Sequence, residues 1–142
     1  MRSVTRFLTV AAILFGIAYA LGAPAFAEPN DPLFINMTTD DPHRAKMAII
    51  FGSLQMEKGH PLTIFLNDKG VKVGSKTHGA QYAEHQKLLV ELMEKGAALV
   101  ACPMCMEHYQ VKAGDLMDGI KQGNPDLTGG LLFKENTKTL TW

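Results

Sequence analysis

The chain has 142 residues, and 46% of them are hydrophobic, which is enough for a folded core. Its 14 basic and 14 acidic side chains give a formal net charge of zero at pH 7. No basic patch stands out that could neutralise phosphates, so nucleic acid is not expected as a partner.

The amino terminus has the pattern of a secretory signal peptide. Arg2 and Arg6 precede an apolar run at residues 7–22, and the sequence Ala-Phe-Ala follows at 25–27. We predict cleavage after Ala27 and export to the periplasm. An uncleaved anchor is the alternative, although 16 apolar residues are fewer than the roughly 20 that span a bilayer. No cysteine directly follows the apolar run, which argues against a lipoprotein.

Residues 28–142 then form a single predicted domain. Without Arg2 and Arg6 it has 12 basic and 14 acidic residues, a formal charge of −2. The exported chain meets an oxidising environment, where Cys102 and Cys105 can pair. A disulfide across so short a loop stabilises little, so the pair is poorly explained as a structural crosslink.

Strand-like and helix-like segments alternate along this domain. Apolar runs predict strands at 33–37, 62–66 and 97–101, and an alternating pattern predicts another at 138–142. Helices are predicted at 42–58, 79–95, 103–111 and 125–133, and residues 71–78 are predicted to be a covering loop. Residues 112–122 are ambiguous, with a helical turn near 115–117 and a very short strand near 119–121. This order predicts a three-layer α/β/α, flavodoxin-like domain with a mostly parallel five-stranded sheet.

Polar residues and a cysteine follow three of these strands. They are the segment 38–40, the pair Asn67 and Asp68, and Cys102. Ligands of such sheets bind outside the carboxyl ends of the strands, so a site is expected at this edge. By themselves Asn67, Asp68 and Asp40 are more typical of turns and helix caps than of catalytic groups.

The cysteines form a C-x-x-C motif at the end of the third predicted strand. Pro103 favours an extended Cys102 and suits the first position of a helix, so Cys102 is predicted at the N-cap and Cys105 one turn later. Unpaired N–H groups and the helix dipole favour a nucleophilic thiolate at an N-cap. An inert buried cysteine is the alternative. Met106 after Cys105 rules out a c-type haem attachment motif.

The chain resembles the DsrE/DsrF-like family over essentially all of residues 28–142. The resemblance comes from Phe-Ile-Asn at 34–36, Ile-Phe-Leu-Asn-Asp at 64–68, Gly-Val at 70–71, the cysteine after strand three and Thr-Leu-Thr-Trp at 139–142. It implies a flavodoxin-like fold and a homo-oligomer, often a trimer or hexamer. In sulfur-trafficking members a cysteine after the third strand carries a persulfide, and that position is Cys102 here. Cytoplasmic members usually have one cysteine and an arginine-containing helix, whereas this chain has Cys105, Met106 and His108 in that helix.

Other side chains could assist the thiols. His108 lies one turn beyond Cys105 and could act as an acid or base, and His78 could approach from the loop after strand two. A solvent-exposed position is the alternative for His108, and it is the favoured interpretation for His78 and for His85, which lies seven residues later on the same face. Cys102, Cys105 and His108 could instead bind copper or zinc.

We therefore predict a periplasmic protein that transfers sulfur or exchanges thiols and disulfides through Cys102, with Cys105 as the resolving thiol. The partner would be a protein or small-molecule sulfur donor or acceptor, and no membrane contact is expected after signal cleavage. No phosphate-binding loop, Ser-His-Asp order or paired-carboxylate motif is present, and no cofactor is predicted. A soft-metal binding protein and a non-catalytic oligomeric binding module remain the alternatives.

Overall fold

Strands and helices alternate along residues 30–142, the part of the chain that the computed structural model describes. The predicted signal peptide lies outside these residues. The strands are β1 (Leu33–Met37), β2 (Leu62–Leu66), β3 (Ala98–Ala101), β4 (Lys121–Gln122) and β5 (Lys138–Thr141). The helices are α1 (Pro42–Glu57), α2 (Gly79–Glu94), α3 (Pro103–His108) and α4 (Pro125–Leu132), and 3-10 turns occur at Asp68–Lys72, Lys76–His78 and Ala113–Asp115.

The five strands form one parallel sheet in the order β4-β3-β2-β1-β5. Because Leu66 pairs with Ala101 and Met37 pairs with Leu66, the carboxyl ends of the three central strands lie side by side. The predicted five-stranded α/β fold is confirmed.

One face of the sheet holds the hydrophobic core. Ile35, Met37, Ile64 and Leu66 are fully buried there together with apolar residues of α1 and α2. Helix α4 lies over the opposite face near Phe34 and Phe65. Helices α1 and α2 have 16 residues each and α4 has eight, so α4 covers much less of its face of the sheet than α1 and α2 cover of theirs.

Helix α1 begins as the sequence predicts. The side chain of Asp41 accepts a hydrogen bond of 2.8 Å from the backbone N–H of Arg44, and Pro42 occupies the first turn. This N-cap satisfies a donor that would otherwise lack a partner. Within residues 30–142, no helix combines the length and apolar character needed to cross a membrane.

Several predictions near the sheet edges need correction. Helix α3 ends at His108 rather than near residue 111, because Gln110 adopts a left-handed conformation with φ of 57°. The helical turn predicted near 115–117 is a 3-10 turn at Ala113–Asp115, and the short strand is Lys121–Gln122. Two 3-10 turns, at Asp68–Lys72 and Lys76–His78, overlap the covering loop predicted at 71–78, and Val71 and Val73 of this loop are fully buried.

His85 is buried, which contradicts the surface position favoured from sequence. Only 5% of it is exposed, and its Nε2 lies 2.7 Å from the carbonyl oxygen of Pro42. Its ring packs edge-on against Tyr82, and its Nδ1 has no hydrogen-bond partner among the described residues. His85 therefore joins α2 to the beginning of α1 and belongs to the packing between these helices.

Candidate functional site

The carboxyl edge of the sheet brings the two cysteines next to the end of β2. The backbone N–H of Cys102 donates a hydrogen bond of 2.9 Å to the carbonyl of Leu66. This bond continues the pairing of β3 with β2 by one residue and places Cys102 beside Asn67. Cys102 thus lies at the carboxyl edge of the sheet, where the sequence places it.

Cys102 is the N-cap of α3. Its backbone is extended, with φ of −69° and ψ of 116°, and Pro103 occupies the first turn. Its Sγ accepts a hydrogen bond of 3.4 Å from the backbone N–H of Cys105. A negative charge that forms on this sulfur is stabilised by that donor and by the end of the helix where N–H groups are unpaired.

The two sulfur atoms are in direct contact. Cys105 Sγ donates a hydrogen bond to Cys102 Sγ over 2.8 Å, and both cysteines are free thiols. A disulfide bond has a length of about 2.05 Å, so pairing requires the sulfurs to approach by less than 1 Å. Cys102 is only 5% exposed, whereas Cys105 is half-buried.

The residues after β2 surround the Cys105 thiol. Its proton has a second acceptor in Asn67 Oδ1, 3.0 Å from the sulfur, and the backbone N–H of Asp68 donates to the sulfur over 3.2 Å. Asn67 is in turn fixed by Asn36, whose Oδ1 accepts from Asn67 Nδ2 over 3.1 Å. Residues at the carboxyl ends of β1 and β2 therefore position the thiol of Cys105 in α3, the helix that follows β3.

The environment of Cys105 favours its protonated form. Burial raises the pKa of its thiol from 9.0 to about 11, and the hydrogen bond to Cys102 acts in the same direction. The backbone N–H of Asp68 opposes this increase because it stabilises a thiolate. At neutral pH, Cys105 is thus a hydrogen-bond donor to its neighbour.

The backbone beside the thiols is held in an unusual conformation. Asp68 has φ of 44°, in the left-handed region that most L-residues avoid. Two residues later, a Cβ on Gly70 would lie 2.2 Å from the carbonyl oxygen of Met37. The loop after β2 therefore packs directly on the end of β1, and this packing fixes the N–H of Asp68 opposite Cys105.

A charged network lies outside the thiols. The Tyr109 hydroxyl donates to Asp68 Oδ1 over 2.5 Å, which raises the pKa of Tyr109 to about 12, because the bond to the carboxylate favours the protonated phenol. Lys72 Nζ lies 4.9 Å from the centre of the Tyr109 ring and 3.0 Å from a carboxylate oxygen of Asp40. These contacts join α3 to the turn after β2.

The two histidines named from the sequence lie near this edge without a hydrogen bond to either thiol among the described residues. His108 is exposed, and its ring packs edge-on against Tyr109 with centroids 4.6 Å apart. His78 is half-buried, and its Nδ1 lies 3.1 Å from the hydroxyl oxygen of Thr77. Their supporting roles stay predictions.

The alternative metal site is not assembled. Across residues 30–142, no group of three or more histidine, cysteine, aspartate or glutamate side chains is arranged to hold a metal ion. Cys102 and Cys105 are adjacent, but His108 does not join them as a third ligand.

The sequence places Asn67 and Asp68 at this edge but favours turn and cap roles for them, and it does not single out Tyr109. Asn67 does cap the following 3-10 turn, as predicted, since its Oδ1 accepts from the N–H of Asp68 over 2.9 Å. The same oxygen also contacts Cys105. A tyrosine four residues after Cys105, one helical turn along, is a signal that could have suggested the third residue.

Comparisons with known proteins agree with this architecture. The family model described as the DsrE/DsrF-like family matches residues 33–130. No curated protein matches the chain.

Three solved structures share the fold at low sequence identity. The MTH1491 protein from Methanobacterium thermoautotrophicum has a TM-score of 0.66 and 15% identity, and the alignment covers 80% of this chain and 100% of that one. The BT1422 protein from Bacteroides thetaiotaomicron has a TM-score of 0.58 and 20% identity, and the alignment covers 79% of this chain and 95% of that one. The YchN protein from E. coli has a TM-score of 0.56 and 16% identity, and the alignment covers 80% of this chain and 99% of that one.

The family match includes β1 to β4, both cysteines and the loop after β2, and the structural matches extend over four fifths of the chain. This chain therefore belongs to the DsrE/DsrF-like family.

Proposed function

We propose that this protein transfers sulfur, or exchanges thiols and disulfides, through Cys102, with Cys105 as the resolving thiol. The observation that carries this proposal is the direct contact of the two sulfurs, 2.8 Å apart, with Cys102 at the N-cap of α3. Membership of a family that includes sulfur-relay proteins supports the same chemistry.

The first step is the loading of Cys102 from a persulfide donor, R–S–SH. The Cys102 thiolate attacks the outer sulfur, the S–S bond of the donor breaks, and R–S⁻ leaves and takes a proton from solvent. Cys102 then carries S–SH. Hydrogen bonds from the N–H and thiol of Cys105 stabilise the attacking thiolate.

Sulfur can then leave by two routes. An acceptor thiolate can attack the outer sulfur of Cys102–S–SH, which transfers that sulfur and restores the Cys102 thiolate. Alternatively, the Cys105 thiolate attacks Cys102 Sγ, forms the Cys102–Cys105 disulfide and releases HS⁻. A dithiol reductant must then supply two electrons to restore both thiols.

The state of Cys105 favours the first route at neutral pH. With a pKa of about 11, Cys105 is almost entirely protonated and is a poor nucleophile. A persulfide on Cys102 is therefore resolved only slowly by Cys105 at neutral pH, which leaves time for transfer to an acceptor thiol. In alkaline solution the second route becomes faster.

We also propose that the protein is exported and that it self-associates. A signal peptide cleaved after Ala27 would deliver residues 28–142 to the periplasm, and the family resemblance implies a homo-oligomer such as a trimer or hexamer. Amino-terminal sequencing of the protein from a periplasmic fraction tests the first point, and light scattering tests the second. A mature protein that begins at Met1, or a monomer at all concentrations, would contradict them.

Intact-protein mass spectrometry tests the chemistry. Reduced protein is exposed to inorganic polysulfide, and a mass increase of one sulfur atom is expected that is absent in Cys102→Ser. In Cys105→Ser the added sulfur should persist at alkaline pH, because the route through the internal disulfide is lost. An unmodified native protein, or equal modification of Cys102→Ser, would refute the proposal. Full activity of the double serine variant in its native pathway would leave a non-catalytic binding module.

A further inference from the structure

A cavity of about 310 Å³ lies on the face of the sheet opposite the main core. Its floor is formed by side chains from β1, the end of β2 and β5, and α4 covers it with Thr128 and Leu132. The floor residues are Phe34, Asn36, Phe65, Asn67, Thr139 and Thr141. This volume is at the lower end of the range of small-molecule pockets.

The lining combines aromatic rings with uncharged polar groups. The rings of Phe34 and Phe65 are tilted by 43° with centroids 6.0 Å apart. The hydroxyls of Thr128, Thr139 and Thr141 make no hydrogen bond to another described residue, so a ligand can use them. A few polar groups around an apolar and aromatic surface are typical of pockets that bind small organic molecules.

No residue that lines this cavity is charged. The cavity at the opposite edge of the sheet differs, since its lining includes Asp31, His60 and Lys138. An ionic ligand would lose part of its hydration against this lining without gaining a counter-charge. The lining therefore favours an uncharged organic group over an ionic one.

The cavity reaches the thiol site through one residue. Asn67 lines the cavity, and its Oδ1 lies 3.0 Å from Cys105 Sγ. Cys105 Sγ is in turn 2.8 Å from Cys102 Sγ. A molecule bound against Asn67 is thus separated from the two sulfurs by a single amide group.

We propose that this cavity binds the uncharged, apolar or aromatic organic group of the small thiol or persulfide that exchanges sulfur with the cysteines. The inference rests on the proposed function for the identity of its ligand. It predicts that R in R–S–SH is uncharged. The bound persulfide reacts with the balance given above, so Cys102 gains the outer sulfur and R–S⁻ leaves as the thiol after protonation.

Binding can be measured without any thiol chemistry. The double variant Cys102→Ser/Cys105→Ser is mixed with benzyl alcohol, benzoate or benzylamine, and binding is followed by saturation-transfer NMR. We expect benzyl alcohol to bind and the two ions to bind at least fivefold more weakly. Thr139→Lys, which adds a cation to the lining, should weaken benzyl alcohol binding at least fivefold.

Gln122→Lys is the matched control, because it adds the same charge to an exposed position on the opposite edge strand, away from the cavity. Equal binding of all three probes, or a Thr139→Lys variant that binds benzyl alcohol normally, would overturn the inference. So would absence of binding by the parent together with dissociation of an oligomer by Thr139→Lys, because this face would then be an interface between copies of the chain.

Loading kinetics in the cysteine-containing protein extend the test. Benzyl persulfide should load Cys102 with saturation, and Thr139→Lys should raise the half-saturating concentration at least fivefold, whereas Gln122→Lys should leave it unchanged. Modification by polysulfide without binding of benzyl alcohol would refute the cavity assignment alone. Binding of benzyl alcohol without any modification of Cys102 would refute the proposed function and the sulfur-bearing ligand, leaving only a site for uncharged aromatic groups.

Discussion

The thiol of Cys105 is expected to react slowly with iodoacetamide at pH 8, and its rate should keep rising with pH up to about 11. Only the thiolate is nucleophilic, and burial together with the hydrogen bond to Cys102 raises the pKa of Cys105 from 9.0 to about 11. An ordinary cysteine would reach its maximal rate roughly two pH units earlier. The pH profile of alkylation therefore reports the environment of this sulfur.

The size of the effect follows from two opposing factors. At pH 8 the increase from 9.0 to about 11 lowers the thiolate fraction about 100-fold. A more basic thiolate is a stronger nucleophile, and with a Brønsted coefficient of about 0.4–0.5 an increase of two pKa units raises the reaction rate of the thiolate roughly six- to tenfold. The net prediction is a rate about tenfold below that of a solvent-exposed cysteine in a peptide at pH 8.

The assay is quenched alkylation at a series of pH values, with fragment-ion mass spectrometry to separate Cys105 from Cys102. The Cys102→Ala variant is the matched control, because it removes the acceptor of the Cys105 thiol at residue 102 and leaves the burial of Cys105 in place. Its profile should level off between pH 9 and 11. A native Cys105 rate that is already constant above pH 9 would refute the reasoning.

Three further predictions concern residues around the site and the core. Gly70→Ala should lower the free energy of unfolding, measured in urea, by about 1–3 kcal/mol, because the Cβ of the alanine would lie 2.2 Å from a backbone oxygen at the end of β1. Gly114→Ala, whose Cβ would have nothing within 4 Å, should change that free energy by less than about 0.5 kcal/mol. Equal effects of the two substitutions would contradict the packing of the loop after β2 on β1. Asp68→Asn should lower the pKa of Tyr109 from about 12 towards 10 in an ultraviolet titration, because the Tyr109 hydroxyl then faces an uncharged acceptor. An unchanged pKa would show that the hydrogen bond to Asp68 is not the main cause of the raised pKa. His85→Ala should lower the free energy of unfolding by about 2–4 kcal/mol in the same urea assay, because it removes a buried ring and its hydrogen bond. The matched change His108→Ala, at the exposed end of α3, should have little effect. Equal losses of stability would mean that the interior position of His85 is wrong.

The amino-acid sequence by itself determined the alternation of strands and helices and the local geometry of Cys102. Apolar runs of five residues marked β1 and β2, and Asp41 with Pro42 marked the start of α1. Cys102 with Pro103 likewise marked the N-cap of α3. These features depend on neighbours within one helical turn, so the local chain contains the information that specifies them.

Only the tertiary structure decided what surrounds the thiols. Asn67 and Cys105 are 38 residues apart, and Asp68 and Tyr109 are 41 apart, yet each pair shares a hydrogen bond. His85 is buried because its ring reaches Pro42, 43 residues earlier. The uncharged cavity likewise needs β5, which pairs with β1 from the far end of the chain. Parallel register aligns the strand ends that create these contacts, and periodicity within a single segment does not specify which distant side chains will meet.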